Sequence, residues 1–228
     1  MRADKRILFE FPVIESQAVA LPHPETPLFR NHLLSKSSAL GESHSLAPLK
    51  KGQLILHTMN RSLSQSQSQQ LASLARLTHE RHFDTRKYET KELLIPGGLV
   101  LGLVMSATAR DLHEVLHEDM LHASYANSLH PNDLVGAISY VQQVDETAPG
   151  DLEVISVRTI GLKNVDVKRD LRGVELPYDL FTGNVPMLPK ELERICKTKC
   201  PILKNKIIVV MDRRIIRQSS SHEGIFLL

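Results

Sequence analysis

The stretch Leu99-Val100-Leu101-Gly102-Leu103-Val104-Met105-Ser106-Ala107 restricts the fold more than any other, because it has helical length and almost no polar side. It follows Pro96-Gly97-Gly98, and the pattern predicts a helix over residues 99–116. A helix that is apolar all round has to be wrapped on all sides. Three segments of strand character come after it, at 120–128, 134–145 and 152–162. The turn signals His130-Pro131-Asn132-Asp133 and Ala148-Pro149-Gly150-Asp151 separate them. Before the helix, Lys51-Gly52 reads as a turn into a strand at 53–59. Ser62 or Ser64 then caps a helix running to Leu77, with Leu63, Leu71, Leu74 and Leu77 spaced for one face. The Ser/Gln run over 64–70 forms its exposed side, and a polar loop fills 78–92. One strand, two helices and three antiparallel strands make an α+β order in which a curved sheet wraps the apolar helix.

The flanks read differently. Residues 1–48 carry Pro12, Pro22, Pro24, Pro27 and Pro48 with no lasting period, so they are expected to be an extension ordered only by something else. Residues 177–228, broken by Pro177, Pro186, Pro189 and Pro201, are expected to be a second extension. Within it a short helix at 191–199 and one more strand at 206–211 are predicted. Charge divides the same way: residues 53–189 carry a formal −5, whereas residues 190–217 carry +6. Such a basic segment either folds back on its acidic body or meets an acidic partner such as RNA. In the second case Lys197, Lys199, Lys204, Lys206, Arg213, Arg214 and Arg217 are the candidate phosphate contacts.

Several classes are disfavoured. No apolar run reaches the ~18–20 residues of a membrane span. Cys196 and Cys200 supply neither a disulfide framework nor four zinc ligands, and they read as reduced thiols. His113-Glu114-Val115-Leu116-His117 has the H-E-x-x-H form, yet Arg110, Asp111 and Glu118 flank it with charge. It is expected to be a coincidence, with no metal and no cofactor. Arg2, Lys5 and Arg6 are mixed with Asp4 and Glu10, so no acid-free transit helix is evident, and Phe226-Leu227-Leu228 is not a peroxisomal address.

The order of pieces resembles a known family. Lys51-Gly52-Gln53, then His57-Thr58-Met59-Asn60-Arg61-Ser62-Leu63, then Leu74-Ala75-Arg76-Leu77-Thr78 is similar to the opening of MaoC-like hydratases. His82-Phe83-Asp84 with Tyr88, Pro96-Gly97-Gly98-Leu99-Val100, and His130-Pro131-Asn132-Asp133-Leu134 resemble that family's later motifs, as does the long last strand from Asp151 to Asn164. The resemblance covers residues 49–176 and implies a hot-dog fold, usually paired with a second hot dog. It also implies reversible hydration of an enoyl thioester, in which an Asp and a His five residues later activate water. A backbone amide at the start of the central helix, here at Gly98, would polarise the thioester carbonyl.

The chain departs from that pattern where the chemistry lies. Leu77 stands five residues before His82, and Glu80, which falls at the Asp position when Leu77-Thr78-His79-Glu80 is read against the family pattern, is only two residues away with Arg81 between. Residues two apart in an extended segment point to opposite sides. No catalytic residues are therefore expected; if the site were active, it would use His82, Glu80 and Gly98. Lys163-Asn164 and Lys168-Arg169 are weak candidates for a coenzyme A phosphate. The expectation is a non-catalytic hot-dog protein that acts as a structural subunit of a large assembly through both extensions. An RNA-containing assembly such as a mitochondrial ribosome is the leading example, with the mitochondrion as compartment and the cytoplasm otherwise. The alternative is an acyl-CoA hydratase or dehydratase with a rearranged site.

Overall fold

A computed structural model describes residues 49–112, 115–145, 152–183 and 187–218. The expected extension over 1–48 lies outside the described residues, as do His113, Glu114 and the last ten residues. Ten elements follow in chain order. They are β1 (Leu54–Arg61), α1 (Gln65–Leu74), α2 (Gly97–Thr108), β2 (Val115–Tyr125), β3 (Val135–Asp145), β4 (Leu152–Lys163), α3 (Val167–Asp170), α4 (Asp179–Thr182), α5 (Pro189–Lys199) and β5 (Ile207–Gln218). The five strands form one antiparallel sheet in the order β1-β3-β4-β5-β2.

The apolar helix lies on one face of this sheet. Val100, Val104 and Ala107 are buried against Val135 and Ala137 of β3 and Val209 and Met211 of β5. At Gly161 of β4 the approach is closest: a Cβ there would lie 2.5 Å from a Val104 methyl and 2.9 Å from a Val209 methyl. The chain does not wrap α2 on all sides, however. Leu99, Leu101, Leu103 and Met105 are half-buried, and Gly98 and Gly102 are exposed.

The opposite face is covered by the segment after β4 together with residues beyond 177 that looked like an appendage. Val165, Val167, Leu171, Leu180, Phe181, Leu192, Ile195 and Leu203 pack with Ile138, Ile160 and Val210 into a second core. The expected boundary near residue 176 is therefore corrected: the sheet continues to Gln218, and β5 is an interior strand between β4 and β2. Ile207-Ile208-Val209-Val210-Met211 is apolar without alternation because both of its faces are covered.

Two helices also differ from expectation. Ser64 does cap α1, accepting from the Gln67 amide (3.2 Å) while its own amide donates to Gln67 Oε1 (2.9 Å). Yet α1 buries Ser68 and Ala72 and leaves Leu74 exposed, because small side chains permit the closer approach. The apolar helix stops at Thr108, not near Leu116. Thr108 O accepts from the Asp111 and Leu112 amides, and the chain then enters β2. Pairing of residues 115–125 with β5 outweighs helical propensity there. His117 is thus a strand residue, bonded to Asp119 (2.9 Å), while His113 and Glu114 of the same motif lie outside the described residues. Among the described residues no group of His, Cys, Asp and Glu could hold a metal ion, and no helix is long and apolar enough to cross a membrane.

A polar seam runs beneath the C-terminal end of α2. Arg213 Nη2 donates to Thr159 Oγ1 (2.8 Å), and the Thr159 and Ser139 hydroxyls are 2.8 Å apart. His57 Nε2 lies 2.8 Å from Ser139 Oγ, and its Nδ1 lies 2.7 Å from Asp111 Oδ2. With a neutral imidazole, every hydroxyl donates once and accepts once along the line from guanidinium to carboxylate. Burial holds the His57 pKa below its ordinary 6.5, outweighing the attraction of Asp111. The unfolded chain then takes up a proton near pH 6.5 that the folded chain resists, so stability falls as pH drops through that value. Urea unfolding is expected to show His57→Gln less stable than the unaltered chain at neutral pH. Its stability should also be less dependent on pH between about 7.5 and 5.5. An unchanged slope would remove His57 as the source.

Candidate functional site

The loop between α1 and α2 carries the residues that the family resemblance points to. Helix α1 ends as Arg76 adopts a left-handed conformation (φ 54°), with the Leu77 amide bonded to Ala72 O (3.0 Å). A single 3₁₀ turn follows at Glu80–His82, with the Arg81 amide donating to the His79 imidazole (N to Nδ1, 3.3 Å). This turn sets the two candidate side chains apart in role.

Glu80 turns to the surface. Its carboxylate accepts from Lys87 Nζ (2.6 Å) and from the Tyr88 hydroxyl (2.8 Å). Those two bonds, Lys87 first, hold Glu80 below the usual carboxylate range, which makes it a weaker base. The same contacts raise Lys87 and Tyr88. Arg81 stacks over the Tyr88 ring, 5.6 Å from its centroid.

His82 turns inward. Its Nδ1 lies 2.8 Å from Leu94 O, and since a carbonyl only accepts, Nδ1 carries a proton, which in the neutral ring leaves Nε2 as the acceptor. The Leu94 amide returns a bond to Arg81 O (3.0 Å). On the other side, the Ile95 amide donates to Leu129 O (2.9 Å) and His130 Nδ1 donates to Leu93 O (2.9 Å). Residues 93–95 are thus pinned between two loops as they lead into α2. Sequence reasoning missed His130 in this role; its signal was the His-Pro-Asn-Asp turn, in which Asp133 accepts from the His130 amide (2.9 Å).

The two glycines at the start of α2 separate in function. A Cβ at Gly97 would lie 3.2 Å from the Tyr125 ring, and the Tyr125 hydroxyl donates to Gly97 O (2.9 Å), so close packing accounts for it. A Cβ at Gly98 would meet nothing within 4 Å. The first amides of a helix have no intrahelical partner, so the Gly98 end is open to a ligand carbonyl. The His82 imidazole is bonded to Leu94 O, and the Glu80 carboxylate is engaged by Lys87 and Tyr88.

The other predicted contacts fall as follows. Lys163 Nζ donates to Ser128 O (2.6 Å), and Asn164 Nδ2 to Asp133 (2.6 Å), so both fasten the turn before β3. Arg169 pairs with Asp170, and Lys168 is exposed. Cys196 and Cys200 are buried free thiols, and burial pushes Cys196 up to about 11, far from a reactive thiolate. Of the seven proposed phosphate contacts, the three arginines are corrected, since β5 lies inside the sheet. Arg213 and Arg217 are buried against Glu118 and Glu153, and Arg214 faces Asp119 (2.8 Å) directly across the β2–β5 ladder. Lys197 and Lys204 are exposed, Lys206 is half-buried, and Lys199 pairs with Asp179.

No protein-family model matches the chain, and no curated protein matches it by sequence. Solved structures do match. The MaoC domain protein dehydratase of Chloroflexus aurantiacus J-10-fl superposes with a TM-score of 0.55 at 15% identity, over 80% of this chain and 47% of that one. This chain therefore spans about half the length of that dehydratase. The MaoC-like dehydratase of Rhodospirillum rubrum gives 0.49 at 11% identity, over 75% and 94%. A Mycobacterium tuberculosis protein with a double hot-dog fold gives 0.47 at 13% identity, over 81% and 44%. At such identities the likeness is one of fold: an α+β chain in which an apolar helix lies on an antiparallel sheet, the hot-dog fold that MaoC-like dehydratases share.

Proposed function

We propose that the chain is a non-catalytic hot-dog subunit that works by assembly. The observation that carries this reading is the engagement of Glu80 by Lys87 and Tyr88, which leaves His82 with no carboxylate bonded to it among the described residues. Two features support assembly. The outer side of α2 leaves Leu99, Leu101, Leu103 and Met105 only half-buried, and β2 is an edge strand with Leu121 58% and Tyr125 44% exposed. A second hot-dog domain against that edge would cover them. RNA in the assembly would meet Lys197, Lys199, Lys204 and Lys206 around the α5–β5 turn, as the arginines of β5 are engaged.

Crotonyl-CoA hydration by the full chain tests the first half of the proposal. No turnover above the uncatalysed rate is expected. Robust turnover that disappears in His82→Ala would establish a rearranged hydratase instead. For the second half, Leu121→Lys is expected to lower the sedimentation coefficient, because a charge at a sheet edge opposes pairing. A coefficient unchanged by that substitution would count against pairing through β2.

A further inference from the structure

The end of α2 away from Gly97 borders a cavity of about 360 Å³ that no role described so far uses. Met105, Ala109, Leu112 and Val115 supply its apolar wall, and Glu118 of β2 with Arg213 of β5 supplies its polar end. Small-molecule sites are of this kind, roughly 300–1,000 Å³, mainly apolar, with few convergent polar groups. Arg213 is 3% exposed and held in place: Nη1 donates to Glu118 (2.9 Å), Nη2 to Thr159 (2.8 Å) and Thr108 (3.3 Å). Among the described residues its Nε, itself shielded from solvent, has no partner. Arg213 is thus a fixed polar group at one end of the cavity. β2 also shifts register between Val115 and His117, at the cavity wall, and such bulges re-aim side chains beside sites.

We propose that this cavity binds a small neutral molecule with an apolar body and a head group that both donates and accepts, such as a hydroxyl or primary amide. The head lies against the Glu118–Arg213 pair. The pair balances its own charge, so an anionic head meets the Glu118 carboxylate and a cationic head meets the Arg213 guanidinium. The Glu118 side chain, 23% exposed, has its Oε1 on Arg213, and that carboxylate is the acceptor offered to the ligand. The site is distinct from the His82 loop: a helix of 12 residues separates them, roughly 18 Å at ~1.5 Å per residue. It stands whether or not the loop is catalytic.

Four probes of one body test it on the full chain by thermal unfolding and equilibrium dialysis. Benzyl alcohol and benzamide are expected to raise Tm saturably. Benzoate and benzylammonium are expected to bind about tenfold more weakly or less. Met105→Trp fills the cavity and should abolish all saturable binding. Glu118→Gln leaves Arg213 uncompensated and should turn the preference toward benzoate. Should that variant fail to fold, the four probes with Met105→Trp still decide. The proposal is overturned if the neutral probes give no saturable shift, or if Met105→Trp binds them equally. It is also overturned if benzoate binds the unaltered chain as tightly as benzamide does.

Discussion

Asp212→Ala is expected to cost about 3–5 kcal/mol of folding stability, read as a large fall in the urea midpoint. Asp212 lies directly opposite Arg158 across the β4–β5 ladder and accepts from both Nε (2.7 Å) and Nη2 (2.9 Å). Arg158 is 1% exposed, and its Nη1 reaches on to Gly183 O (2.9 Å). Truncating the carboxylate strands a buried guanidinium with no counter-charge, and that desolvation, not the lost attraction alone, sets the size of the effect. The double variant Arg158→Met/Asp212→Leu removes both charges and should recover a large part of the loss. If the single and double variants were equally unstable, uncompensated charge would not be the cause.

Gly161→Ala is the second large effect, expected to cost about 1–3 kcal/mol by overpacking. Its Cβ would stand 2.5 Å from a Val104 methyl and 2.9 Å from a Val209 methyl, both on fully buried side chains. Neither is the far end of a flexible chain, so α2 has to lift from the sheet. Val104→Ala in the same chain vacates the nearer methyl, and the pair should be more stable than the sum of the single losses implies. Thermal unfolding of the three variants measures this coupling, and strict additivity would show that α2 is not what the new methyl strikes.

Much of the fold was legible because it rests on local periodicity. The strands at 134–145 and 152–162 were bounded by Pro, Gly, Asn and Asp turns, and the apolar run at 99–107 announced a buried helix. The place of β5 was not legible. Residues 177–206 read as an appendage because their prolines break any period, yet they cover the second face of the sheet, and β5 enters its interior. Nothing within a short window tells a strand that ends a sheet from one that completes its centre. The same limit misled the reading of charge: the +6 segment looked like a phosphate surface, but Arg213 and Arg217 meet carboxylates 95 and 64 residues away.

At the candidate site, the sequence by itself determined the spacing: Glu80 stands two residues from His82, with Arg81 between. Only the tertiary structure decided where Glu80 goes, to Lys87 and Tyr88, and that His82 is anchored by Leu94 O. It alone assembled His57, Asp111, Ser139, Thr159 and Arg213 into one seam beside a cavity. Spacing along the chain governs what neighbours can share, since a few backbone dihedrals connect them. Contacts between residues 50 to 100 positions apart depend on strand order and register, which the packing of the whole core selects.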